Sequence, residues 1–169
     1  MKLLKPDLCA DNLSCIDIAF WCAQGIRCIL IDLDNTVAPW RKTDMTDEAR
    51  QLIAQCRDAA IMVVLFTNAP EVRAREAAWK AGIGYYASAR KPFPFHYRKA
   101  IAELGVNATE TMTVGDQIFT DVLGGNLMGC VTVLTSPLSA TEYRGTKLLR
   151  FLEKYIAGRE LVFRDETEA

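Results

Sequence analysis

The chain is poor in the residues that build several common kinds of site. It has one histidine, His96, and its six cysteines at 9, 15, 22, 28, 56 and 130 include no Cys-x-x-Cys pair. A zinc centre assembled from cysteine and histidine is therefore not expected. Long apolar runs are missing too. The stretch 61–66 is among the longest, far short of the roughly 20 residues a membrane-spanning helix needs. Neither sign of charge dominates. Twenty Lys and Arg against 21 Asp and Glu leave a net charge of −1, which argues against a general nucleic-acid binder. There is no repeat, no low-complexity tract and no long Gly/Ser linker. The N-terminus lacks the layout of a secretory signal, so the thiols are expected to be reduced, mostly buried small groups in a cytoplasmic protein.

What remains is ordinary globular material: 169 residues, half of them apolar, enough for one domain with a real core. Apolar strand-like runs alternate with helical patterns along the chain. Strands are expected at 27–33, 61–66, 84–87, 111–114 and 130–134. Helices are expected at 12–24, 46–59, 70–81, 94–104, 118–127 and 146–156. The run 61–66 is nearly continuous and β-branched, as in a parallel strand covered on both faces. This alternation predicts an α/β fold: a single Rossmann-like domain with a mostly parallel five-stranded sheet and helices on both faces. The domain is expected to occupy residues 1–158, with 159–169 a polar C-terminal tail.

Polar groups follow the strands. Asp32 and Asp34 follow the first, Thr67 and Asn68 the second, Lys91 the third, and Gly115-Asp116 with Thr120-Asp121 the fourth. In a parallel sheet all strand ends lie on one edge, so these scattered residues are brought together. Their types suit phosphoryl transfer, which is largely positioning and charge neutralisation. Asp32 could attack phosphorus, and Asp34 could protonate the leaving alkoxide and then activate water. Mg²⁺ is the natural ion for an oxygen-only site that also binds phosphate, with Asp32 and Asp116 as ligands. Thr67, the backbone N–H of Asn68, and Lys91 could hold the phosphoryl oxygens. Thr67 could equally cap the helix that follows, and Asp121 could simply begin a turn. Gly124 and Gly125 could serve close packing alone, and His96 reads more readily as surface or packing than as chemistry.

The strings Asp32-Leu33-Asp34-Asn35-Thr36, Thr67-Asn68, Lys91-Pro92 and Gly115-Asp116-Gln117 through Thr120-Asp121, in this order, resemble the haloacid dehalogenase (HAD) superfamily of phosphatases. Asp116-Gln117 through Asp121-Val122-Leu123-Gly124-Gly125-Asn126, with Leu4-Lys5-Pro6-Asp7, is similar to a class IIIA branch, the YqeG-like and phosphatidylglycerophosphate phosphatase-like proteins. The resemblance covers roughly residues 4–134. It implies that Asp32 is the nucleophile and Asp34 the general acid/base. It places Mg²⁺ on Asp32, the backbone carbonyl of Asp34, and Asp116. Thr67 and Lys91 would hold phosphate, with Asp121 and Gln117 supporting from behind. Some relatives dephosphorylate phosphatidylglycerophosphate, which makes that lipid the expected substrate. A soluble, protein or nucleic-acid phosphate is the alternative, and a non-catalytic binding module on the same fold is a further one.

Spacing speaks to the size of the substrate. Thirty residues separate Thr36 from Thr67, and Lys91 follows Thr67 by 24 positions. One helix and one strand fill each gap, so no cap domain fits, and an open site of this kind could take a large or lipid phosphomonoester. Peripheral membrane contact is plausible on such a reading. Its candidates are helix 12–24, with Ile16, Ile18, Phe20 and Trp21, and helix 146–156, where Lys147, Arg150 and Lys154 flank Leu148, Leu149 and Leu152. Either helix alone reads more simply as packed on the sheet.

Overall fold

Alternation of buried side chains decides the architecture. The computed structural model describes residues 2–138. In chain order they form β1 (Leu8–Ala10), α1 (Ile18–Ala23), β2 (Cys28–Ile31), α2 (Asp47–Asp58), β3 (Met62–Phe66), α3 (Glu71–Ala81), β4 (Gly84–Tyr86), α4 (Pro94–Glu103), β5 (Thr111–Gly115), α5 (Leu123–Met128) and β6 (Val131–Thr135). The strands make one sheet in the order β1-β6-β5-β2-β3-β4, with every neighbouring pair parallel. On β2, Ile29 and Ile31 join one buried cluster, with residues of α2 and α3. Cys28 and Leu30 join another, with Tyr97, Ala100 and Ile101 of α4. Successive strand residues point to opposite faces, so helices cover both sides of the sheet. Truncating a core side chain such as Leu30 to alanine would cost about 2–5 kcal/mol.

The chain runs outward from β2 to β3 and β4, then returns to place β5 on the other flank of β2. The crevice between the ends of β2 and β5 is the switch point where such sheets bind ligands. Asp32 begins there, and its N–H donates to the Val114 carbonyl at 2.9 Å.

The helix expected over 118–127 is a π turn at Ile118–Val122 followed by α5, and two details nearer the N-terminus also depart from the sequence expectation. A sixth strand, β1, adds to the sheet edge beside β6. With three residues it is too short to show periodicity, and Asp7 secures it by accepting from the Thr132 N–H at 2.8 Å. The helix expected over 12–24 is split into a 3-10 turn at Leu13–Cys15 and the short α1. Asn12 accepts from the Ser14 N–H and Asp17 from the Phe20 N–H, each at 2.9 Å. Two side-chain caps in succession outcompete a continuous backbone ladder. Helix 146–156 and the tail lie outside the described residues. No helix among those described is long and apolar enough to cross a membrane.

Candidate active site

The site is assembled by four connections at the carboxyl edge of the sheet. After β2, Leu33 is buried in the core, which leaves Asp32 and Asp34 on the opposite side of the chain. Asn35 then adopts a left-handed conformation at φ 60°, which asparagine tolerates better than most residues, and its N–H donates to Ala38. The loop folds back so that the Arg41 N–H donates to Asp34 Oδ1 at 2.8 Å.

After β3, the Thr67 N–H extends the ladder to the Tyr86 carbonyl, and its hydroxyl accepts from the Ala69 N–H at 3.1 Å. The Asn68 side chain clamps the next loop. Its Oδ1 accepts from the Lys91 N–H at 2.7 Å, and its Nδ2 donates to the Lys91 carbonyl at 3.3 Å. That clamp sends the Lys91 side chain inward, where Nζ lies 2.7 Å from Asp32 Oδ1 and 2.6 Å from Asp121 Oδ1. The Lys91 side chain is 2% exposed.

The fourth connection explains the sequence around Gly115. After Asp116, the chain enters a π turn at Ile118–Val122 before α5 starts. Asp121 folds back from this turn across Gly115, and Asp121 Oδ2 accepts from the Gln117 N–H and the Thr120 hydroxyl. A Cβ on Gly115 would fall 2.1 Å from Asp121 Cγ, so only glycine leaves Asp121 its place. Gly124 and Gly125 do serve close packing. Added Cβ atoms there would meet the Tyr97 ring at 2.4 Å and Thr113 Oγ1 at 2.4 Å.

Asp32, Asp116 and Asp121 are all buried, and one oxygen from each lies within 4.8 Å of the others. Two of the three, Asp32 and Asp121, share one ammonium, and Asp116 adds a third carboxylate beside them. Burial pushes the Asp32 carboxyl up, Asp121 adds to the rise and Lys91 opposes it, leaving it near about 6. For Lys91, burial would lower the ordinary amine value, but Asp121 and Asp32 more than reverse that and hold the proton in place. A hard divalent cation fits this donor set of clustered carboxylate oxygens, which still carries excess negative charge beside one lysine.

Asp34 has a different partner. Arg73, in the first turn of α3, grips it through two parallel bonds, Nη1 to Oδ1 and Nη2 to Oδ2, each 2.7 Å. Its carboxylate therefore faces Arg73 and the pocket mouth, while Asp121 takes the third place in the acidic cluster. The pocket has a volume of about 280 Å³, and Asp32, Asp34, Thr67, Lys91, Gln117 and Arg73 line it together with Trp40 and Thr120. His96 is not among the lining residues; its ring lies edge-on to Phe95 at 5.3 Å.

Comparison with known proteins finds phosphatases. The HAD-hydrolase-like family model matches residues 88–137, from the Lys91 loop through β6. The chain is 28% identical over 155 residues to the probable phosphatase YqeG of Bacillus subtilis, covering 92% of this chain and 90% of that protein. By these matches the chain is similar to the HAD-like superfamily. It is 26% identical over 168 residues to the chloroplastic phosphatidylglycerophosphate phosphatase 1 of Chlamydomonas reinhardtii, covering 94% of this chain and 62% of the algal protein. The cobalt-bound deoxy-D-mannose-octulosonate 8-phosphate phosphatase of Haemophilus influenzae shares its fold, with a TM-score of 0.55 at 16% identity over 80% of this chain and 89% of that one.

These similarities support a phosphoric monoester hydrolase that takes a phosphorylated substrate, in a class whose members generally use a divalent metal. Within the fold, the stretches from Asp34 to α2 and from β3 to Lys91 hold no inserted cap. Two pocket residues escaped sequence reading. Trp40 sits in a loop without periodicity. Arg73 carried a signal: a cation in the first turn of a helix opposes the macrodipole, so its position needs another cause, and that cause is Asp34.

Proposed function

We propose that the protein is a Mg²⁺-dependent phosphatase that works through an aspartyl-phosphate on Asp32, with phosphatidylglycerophosphate as its substrate. The observation that carries the mechanism is the position of Asp32. It is buried at a pocket wall beside the Lys91 ammonium and within reach of Asp116 and Asp121. In the first step an Asp32 oxygen bonds to phosphorus as the ester P–O bond breaks, and Asp34 gives the departing oxygen its proton. In the second, Asp34 takes a proton from water, whose oxygen bonds to phosphorus as the acyl–phosphate bond breaks. This releases inorganic phosphate and restores Asp32.

Lys91, held by Asp121, offsets charge on the phosphoryl oxygens, and Thr67 with the Asn68 backbone N–H orients them. Both Asp34 oxygens are engaged by Arg73, so one of those bonds has to give way when Asp34 exchanges its proton. Asp32, the Asp34 carbonyl and Asp116 would hold Mg²⁺, which when bound supplies electrostatic screening between nucleophile and phosphate.

The lipid substrate is supported by the similarity to the algal phosphatidylglycerophosphate phosphatase and by the lack of an inserted cap among the described residues. The deciding experiment compares turnover of phosphatidylglycerophosphate in mixed vesicles with turnover of a panel of soluble sugar, nucleotide and peptide phosphates, each with Mg²⁺ and with a chelator. The lipid is expected to lead the panel in kcat/KM, and chelation to stop all turnover. A soluble ester that outruns the lipid would overturn the substrate assignment, and full activity in chelator would overturn the metal.

A further inference from the structure

The loop that carries Lys91 also carries the most exposed aromatic pair beside the site. Phe93 is 65% exposed and Phe95 is 68% exposed. Phe93 is the residue before α4, Pro94 is in its first turn, and Phe95 follows. Only Pro92 lies between Phe93 and Lys91, whose Nζ touches Asp32, so at most about 7 Å of chain joins them. Because Asn68 fixes the Lys91 backbone from both sides, this pair is rigidly tied to the pocket.

The charge along this segment has one sign. No Asp or Glu occurs anywhere in residues 84–102, while Arg90 and Arg98 are exposed at either side of the phenylalanines. Arg98 follows Phe95 by three residues and so shares its side of the helix. Arg41 and Lys42, exposed in the loop after Asp34, add positive charge on the same edge of the sheet. The other exposed aromatics among the described residues lack this setting. Trp79 on α3 stands beside Lys80, which is already paired with Asp44 and Glu76. Phe20 on α1 packs edge-on against Trp21 next to Asp17, and Ile18 of that helix is buried in the core.

We propose that the Arg90–Arg98 segment is a membrane-docking face, on which Phe93 and Phe95 enter the interface of an anionic bilayer while Arg90 and Arg98 meet its headgroups. Apolar rings flanked by cations suit an anionic lipid surface, where headgroup attraction and shallow apolar insertion act together. Docking here sets the uncapped pocket against the headgroup layer. This deepens the lipid-phosphate reading above and rests on it for its purpose, though not for its test.

The test is co-sedimentation of the full chain with vesicles of mixed phosphatidylglycerol and phosphatidylcholine, and with phosphatidylcholine alone. The wild type is expected to partition onto the anionic vesicles and to be released by high salt. Phe93→Ser with Phe95→Ser should weaken that partition by about tenfold or more, and Arg90→Glu with Arg98→Glu by a similar factor. Hydrolysis of a soluble aryl phosphate and the thermal midpoint should not change, since these side chains are exposed and outside the pocket. Wild type that ignores anionic vesicles, or variants that bind them equally well, would overturn the proposal. So would self-association of the wild type that the variants abolish without any vesicle binding, because the face would then join two copies. Vesicle binding by this face without turnover of phosphatidylglycerophosphate would instead sink the lipid substrate and leave the surface standing.

Discussion

The two carboxylates of Asp32-Leu33-Asp34 are near neighbours in sequence and occupy opposite kinds of environment. Asp32 belongs to a sealed inner cluster, where Lys91 is shared with Asp121 and Asp116 adds further negative charge. Asp34 belongs to an outer pair, in balance with Arg73, whose side chain is 24% exposed at the pocket mouth. The inner cluster has a charge excess that a cation relieves and almost no freedom to move. The outer pair is neutral as a unit and can open. On the mechanism proposed above, attack on phosphorus requires a fixed nucleophile and proton exchange with a variable leaving group an adjustable partner, and the two environments suit those two tasks.

Substitutions can break this contrast, beginning with the inner cluster. Asp32→Asn should lower turnover of an aryl phosphate by on the order of 10³-fold or more while circular dichroism stays native; retained turnover would remove Asp32 as nucleophile. Lys91→Met leaves two buried carboxylates without their cation. It should abolish activity and destabilise the fold by about 3–5 kcal/mol, an effect that added Mg²⁺ should partly reverse in a thermal melt. Gly115→Ala attacks the cluster through its geometry. With Asp121 forced off its position, kcat should fall by about 10–100-fold, and an unchanged kcat would show that Asp121 does not orient Lys91. The outer pair should be the most forgiving. Arg73→Ala should cost about 1 kcal/mol of stability or less, as for a partly exposed ion pair. Its kinetic effect should be larger for alkyl phosphates than for aryl phosphates, whose leaving group needs no proton. Equal losses on both substrates would show that Arg73 does not act through Asp34.

The inner cluster was far easier to read from sequence than the outer pair. Asp32, Lys91 and Asp116 each follow an apolar run, so strand position alone predicts that they meet, and the parallel sheet brings them together. Arg73 follows no strand. Its direction depends on where α3 begins, and Pro70 caps that helix from outside, one residue beyond where the pattern suggests. The Asn68 side chain was likewise hidden, because its partner is the backbone of a loop 23 residues away. The strands of the central sheet were legible as continuous apolar runs. β1 was not, since three residues cannot display alternation, and its place depends on Asp7 meeting Thr132 across the whole length of the domain.

The π turn at Ile118–Val122 makes this part of the chain sensitive to length as well as to chemistry. A π turn winds more residues into one turn than an α turn does. Deleting Phe119 would let the segment relax into ordinary α-helix and would swing Asp121 by about 100° around the axis, away from Lys91. Every side chain of the site would still be encoded, and the site would be lost. Among related sequences, a gap in this stretch is therefore a sharper mark of an altered enzyme than many substitutions within it.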